Sequence, residues 1–401
     1  MRTFSPKALG RVALCVAIFG TMTSSANAQR QPRTITTAVP FLLISPDSRA
    51  GGMGEANVAI ADNASAMFWN PAGLGFQKGL DVNFTHANWL PAFNADLFYD
   101  NLTIKRHFAG FGTFGLGITY LNLGETEVRT AQNVAAGTIK SYEFAVTGSY
   151  GARIAQSLAV GTSVRFIRSA LTNVGAGSEQ GAGIGTSISF DLALLWKPQF
   201  GGYFADRWSF GLNISNIGPK MTYIDEAQAD PLPTNFKIGF AYRVLSDKYN
   251  SLTLAADFNK LLVNRSAFLD GRKLSPDEVN RLDSASQRRV TYRADNVFSA
   301  MISSWGASGG GFRSFTVGVG AEYWYGSPQL LALRAGYFYE DPEFGGRRYL
   351  TFGAGVRYAA FGVDFSYLQS VEQQHPLDGT VRLSLVLNFP NIGLKQTKPV
   401  K

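Results

Sequence analysis

The sequence predicts an all-β membrane protein, a 14-stranded antiparallel transmembrane β-barrel with an N-terminal plug. Three observations carry that expectation. Apolar and polar residues alternate strictly over long stretches, glycine and aromatic residues are abundant while charge is scarce, and no later segment has the roughly 18 consecutive apolar residues of a spanning helix. The alternation is clearest toward the C-terminus. Phe315, Val317, Val319, Ala321, Tyr323 and Tyr325 share one face, while Thr316, Gly318, Gly320 and Glu322 share the other. In the same way Leu350, Phe352, Ala354, Val356 and Tyr358 oppose Thr351, Gly353, Gly355 and Arg357, and Val381, Leu383, Leu385, Leu387 and Phe389 oppose Arg382, Ser384 and Asn388. Successive side chains of a strand point to opposite faces. A greasy face backed by Gly, Ser, Thr and charge suits a wall with lipid outside and water inside. The 43 glycines, 13% aromatic and 16% charged residues fit such a wall better than a secreted enzyme.

Residues 1–28 read as a secretory signal. Arg2, Lys7 and Arg11 supply the charged start, residues 12–19 the apolar run, and Ala26-Asn27-Ala28 the cleavage site. Cys15, the only cysteine, lies inside this segment, so disulfides and cysteine metal sites are not expected in the mature chain. Residues 29–78 form the expected plug segment. They do not alternate, and they carry Pro46-Asp47-Ser48-Arg49-Ala50-Gly51-Gly52-Met53-Gly54 and Phe68-Trp69-Asn70-Pro71-Ala72-Gly73. Asp62 is placed to cap a short helix through Phe68, which Asn70-Pro71 should stop. Phe41, Leu42, Leu43, Met67, Phe68 and Trp69 need burial, which favours a place inside the barrel over a periplasmic tail.

The barrel is expected over residues 79–389. Its strands are predicted at 81–90, 96–108, 112–128, 141–151, 158–169, 183–196, 208–223, 235–245, 252–262, 313–326, 331–340, 347–359, 362–369 and 380–389. Links after odd-numbered strands tend to be longer than those after even ones, the connection at 200–207 being the main exception. Long loops outside and short turns at the periplasm produce that pattern, and an even strand number returns both chain ends to the periplasm. The longest link, 263–312, contains a cap-like Ser275-Pro276-Asp277-Glu278 and a Gly-rich stretch at 306–311. A loop of that length points to function, and Trp305 and Phe312 are its candidate partner-contact residues. Residues 390–401 extend past the terminal aromatic Phe389.

Inward faces carry Arg165, Asp191, Arg243, Asp257, Glu322, Arg334, Arg357, Asp364 and Arg382 among small residues. Burying a lone ion costs on the order of several kcal/mol, so these should pair into a network that stiffens the wall and holds the plug. Their mixed signs argue against a selectivity ring. Catalytic and metal motifs are absent from the sequence. His86, His107 and His375 lack neighbours at ligand spacing, and Gly181–Gly185 opens a strand instead of a phosphate-binding helix. No cofactor is expected, and the basic balance of +8 is too scattered to suggest nucleic acid.

The N-terminal stretch quoted above resembles the PorV/PorQ family of FadL-like outer-membrane barrels. So do Gly320-Ala321-Glu322-Tyr323-Trp324-Tyr325, Leu333-Arg334-Ala335-Gly336-Tyr337, Asp364-Phe365-Ser366-Tyr367, Gln374-His375-Pro376-Leu377 and Phe258-Asn259-Lys260-Leu261-Leu262-Val263. The resemblance implies an outer-membrane component of type IX secretion. Its implied partners are a SprA-like translocon, cargo bearing a type IX C-terminal signal domain, a PorU-type attachment complex and outer-membrane lipid. By the same resemblance, loops 263–312 and 369–379 would bind, and Arg49, Gly51, Gly52, Met53 and Gly54 with Asn70, Pro71, Ala72 and Gly73 would seal the barrel. The rival reading is a FadL-like channel for hydrophobic small molecules, which demands an apolar inward pocket that the small and charged inward faces do not offer.

Overall fold

The computed structural model describes residues 36–389, apart from residues 94, 130–132, 134, 173–182, 203–205, 225–228 and 307–310. The expected signal peptide and the 390–401 extension lie outside the described residues. Strands run in chain order as β1 (Leu80–Asn88), β2 (Phe98–Phe108), β3 (Gly112–Arg129), β4 (Ala135–Ala155), β5 (Leu158–Ala170), β6 (Ile184–Trp196), β7 (Trp208–Ile217), β8 (Asn235–Ser246) and β9 (Asn250–Leu261). The long loop holds β10 (Arg265–Leu269), β11 (Arg272–Leu274) and β12 (Thr291–Ala294). The wall resumes with β13 (Phe315–Tyr325), β14 (Leu331–Tyr339), β15 (Arg348–Tyr358), β16 (Phe361–Ser370) and β17 (Val381–Phe389).

Around the wall each strand pairs antiparallel with the next, β9 meeting β13 across the long loop, and β17 pairs with β1 to close a 14-stranded barrel, while β10–β12 form a separate antiparallel sheet. The closing seam aligns Val82 with Leu387 and Phe84 with Leu385. Closure leaves no sheet edge, which is how a strand wall satisfies its backbone in lipid. Outward positions are exposed and apolar, such as Leu333, Phe352 and Leu385, while their neighbours Arg334, Thr351 and Ser384 are buried inside. No helix among the described residues is long and apolar enough to cross a membrane.

Two strand boundaries depart furthest from the pattern reading. β4 begins at Ala135, not 141, because β3 and β4 continue as a hairpin past an irregularity between Asn122 and Glu125. β7 ends at Ile217, not 223, because Asn216 adopts φ 60° and turns the chain inward. Tyr223, predicted on that strand, instead hydrogen-bonds Ser169 through its hydroxyl at 3.0 Å.

The N-terminal segment forms short pieces: a 3₁₀ turn Pro40–Leu43, α1 (Ser48–Gly51), α2 (Ala66–Trp69) and a 3₁₀ turn Pro71–Phe76. Asp62 does not cap α2. Ser65 occupies that position without a side-chain cap, and Asp62 serves Arg49 instead. Asn70 ends α2 in extended conformation and caps the next turn by accepting from the Ala72 N–H, so the expected stop is found. In the long loop, α3 (Pro276–Arg281) starts with the anticipated capping box between Ser275 and Glu278. It is followed by α4 (Ser284–Gln287) and α5 (Val297–Ser303).

Candidate functional site

Residues 38–77 pack against the inward side chains of the wall, where their backbone polar groups need partners from strands. Asp47 ties α1 to α2 by accepting from the Ala50 N–H at 2.8 Å and from Trp69 Nε1 at 2.9 Å. Asn70 Nδ2 donates to the carbonyls of Val58 and Leu194 at 2.9 and 3.0 Å, and Asn213 Nδ2 donates to the Trp69 carbonyl at 3.0 Å. Asp257 accepts from the N–H groups of Asn57 and Val58 at 2.6 and 2.8 Å. Its role is to hold backbone and not, as the sequence suggested, to zip an arginine. Lys237, which the sequence reading missed, sits with Nζ 4.2 Å from the Phe68 ring centroid.

The tightest fastening is ionic. Arg49 donates from Nε and Nη2 to the two carboxylate oxygens of Glu322 at 2.7 and 2.6 Å, and its Nη1 pairs with Asp62. Glu322 also accepts from Arg334 Nε at 2.7 Å. Arg334 Nη1 reaches Asp364 at 2.8 Å, and Arg357 Nη1 reaches Asp364 at 3.1 Å. Three guanidinium groups and three carboxylates therefore alternate from the N-terminal segment across β13 to β16. The network unites predicted Arg49, Glu322, Arg334, Arg357 and Asp364. Bidentate arginine geometry and mutual neutralisation make such a buried chain tolerable. Arg382 lies beside it, 3.9 Å from Glu55.

Two further predicted members form a separate pair. Arg165 and Asp191 form their own buried pair at 3.0 Å on β5 and β6, with Asn216 bonded to both. Arg243 joins neither group: it sits exposed at the rim, next to an irregularity between Arg243 and Leu245.

The glycine-rich stretch is a fit to backbone. Gly54 has φ 62° and donates its N–H to Thr351 Oγ1 at 2.8 Å, and a Cβ there would meet the Val319 and Tyr337 carbonyls at 2.5 and 2.6 Å. A Cβ on Gly73 would lie 2.1 Å from the Ala61 carbonyl. Gly51, Gly52 and Met53 run against β13–β17, while Pro71 and Ala72 face β4 and β5.

The inward faces are small and charged over only part of their length. The far end of the lumen is apolar: Phe41, Leu42 and Ile44 pack with Tyr99, Leu121, Ile167, Met221 and Leu232. The N-terminal segment itself fills this chamber, and the Ala38 N–H donates to the Pro231 carbonyl at 3.0 Å. Consecutive apolar pairs, Tyr120-Leu121 and Phe166-Ile167, were the available signal, since a strand buried on both faces loses its alternation.

The long loop leans on the outside of the wall. Trp305 packs edge-on to Phe236 at 5.4 Å and against Phe315 at 6.0 Å, both outward residues. Beneath them, outward Lys260 is 2% exposed, with Nζ 5.7 Å from the Trp305 ring and bonded to Ser314 Oγ. Trp305 thus covers a cation that would otherwise face lipid. Phe298 and Ile302, one turn apart on α5, and Phe312 remain 71, 78 and 93% exposed. Of the two predicted contact residues, Phe312 is fully available and Trp305 serves mainly as the strut.

Residues 26–267 match the family described as "Type IX secretion system protein PorV". Among solved structures the chain is similar to the Ralstonia pickettii toluene transporter TbuX, with 14% identity, TM-score 0.51, and coverage of 87% of this chain and 100% of that one. A Pseudomonas aeruginosa FadL homologue matches at 11% identity and TM-score 0.47, covering 86% and 99%. No curated protein matches the sequence. At 14% identity the likeness to TbuX shows the fold alone, a closed β-barrel.

Proposed function

Because the chain belongs to the PorV family of type IX secretion system proteins, an outer-membrane β-barrel component, we propose that it is a binding protein and not a conduit. In this reading it takes the C-terminal signal domain of secreted cargo at the translocon and shuttles it to the surface attachment complex. The carrying observation is the exposure of Phe298 and Ile302 on α5 and of Phe312, with Trp305 fastening α5 to the wall while the lumen is filled from within. Exposed aromatic and aliphatic anchors beside polar groups are what a desolvated protein interface uses. Residues 29–78 act as the plug, with the Arg49–Glu322 pair as its lock.

The test has a genetic and a biochemical arm. Deleting the gene should strand cargo in the periplasm. A Phe298→Asp/Ile302→Asp variant should insert and fold normally but lose capture of a purified cargo signal domain and of the translocon. Unchanged capture by that variant would remove the loop from the proposal. A second reading, uptake of a hydrophobic small molecule, draws on the apolar chamber around Tyr99 and Ile167. It requires Phe41 and Leu42 to leave, and it predicts normal cargo display but lost hydrocarbon uptake in the deletion strain.

A further inference from the structure

At the opposite end from the apolar loop, the periplasmic mouth contains a cavity of about 200 Å³ between the β6–β7 connection, the ends of β8, β9 and β13, and the lock. Its walls bring together Lys197, Arg207 and Arg243. Nearby Arg49 and Glu322 are already matched within the lock, and Asp62 is taken by Arg49. Arg207 is oriented from behind: its Nη1 donates to the carbonyls of Arg243 and Val244 at 3.2 and 2.9 Å. Lys197 lies with Nζ 4.8 Å from the Phe76 ring centroid, and among the described residues neither its ammonium nor the Arg243 guanidinium has a carboxylate partner within ion-pair distance. Burial presses the Lys197 pKa down; Asp62 opposes that and the charge of Arg243 adds to it. Asp206 is the remaining acid of the mouth, so cations are in excess there. The hydroxyls of Ser251 and Thr253 line the same space.

From this geometry we propose that the periplasmic mouth is a phosphate-type oxyanion site, with Lys197 and Arg243 as the direct ligands and Arg207 beside them. Repelling cations gathered at a water-filled mouth are stabilised by a shared anion. Arginine supplies a fork of donors and lysine a point charge, the combination suited to phosphate oxygens. The volume admits a phosphate with ordered water, or the phosphate of a lipid headgroup from the inner leaflet.

Calorimetry on the purified full chain in a non-ionic detergent, at constant ionic strength, tests this. Inorganic phosphate and a short-chain phosphatidic acid are the two probes, and chloride is the control. Saturable binding should weaken at least tenfold in Lys197→Gln and in Arg243→Gln and vanish in the double variant, with the thermal unfolding midpoint in chloride unchanged. Binding of both probes assigns the site to free phosphate groups, and binding of the lipid alone assigns it to a headgroup; either supports the site. No saturable heat with either probe, or equal affinity in the double variant, overturns it.

Discussion

Arg49 has the most consequential set of contacts of any single residue. It is the one cation the N-terminal segment contributes to the buried chain, and it spans Asp62 and Glu322. Removing one partner of a buried ion pair leaves an uncompensated charge, at a cost of about 3–5 kcal/mol. Arg49→Ala should therefore lower barrel stability by that order in a urea titration and expose residues 38–77 to protease added from the periplasmic side. Gly54→Ala should act through backbone: with φ 62° and two carbonyls inside 2.7 Å of the new methyl, a loss of about 1–3 kcal/mol is expected. The partners of Arg49 were partly readable, since mixed charges on inward positions must pair. Asp62 was misread as a helix cap, because a local hydrogen-bonding role competes with a distant ionic one and sequence displays only the local one.

At the scale of elements, the long loop divides into a strut and a contact face. Trp305→Ala should detach α5 from the wall and uncover Lys260. The expected result is faster amide exchange over 296–306, with the barrel's thermal midpoint little changed. The capping box of α3 adds a pH signature. The Ser275 N–H and hydroxyl, then Arg272, hold the Glu278 carboxyl below its ordinary range. A depressed acid stabilises the fold above its unfolded value and loses that contribution as pH falls through the lowered one. Amide protection in 277–281 should accordingly persist at neutral pH and fade in acid, and Ser275→Ala should reduce it at neutral pH.

For the whole molecule, closure of the wall and filling of the lumen are separable. Purified protein in planar bilayers should show no steady conductance, whereas deletion of residues 38–77 should open a permanent pore in a barrel that keeps its strand-type circular dichroism. Steady current from the intact chain would argue against the segment acting as a plug. Deletion of 266–311 should do the reverse, leaving a closed, folded barrel without partner capture.

The sequence alone determined the wall: strict alternation, tight links after even strands and an even strand count are local properties, and lipid punishes any departure from them. It also marked the N-terminal segment for burial, through apolar residues in a stretch with no alternation. Only the tertiary structure decided which charges meet. It paired Arg165 with Asp191, chained Arg49 to Asp364 through Glu322 and Arg334, and left Arg243 at the mouth with Lys197. It likewise set the Trp305 end of the loop against the outer wall. Such choices depend on strand stagger and on residues hundreds of positions apart in the chain, and a two-residue period carries no information about height along the barrel axis.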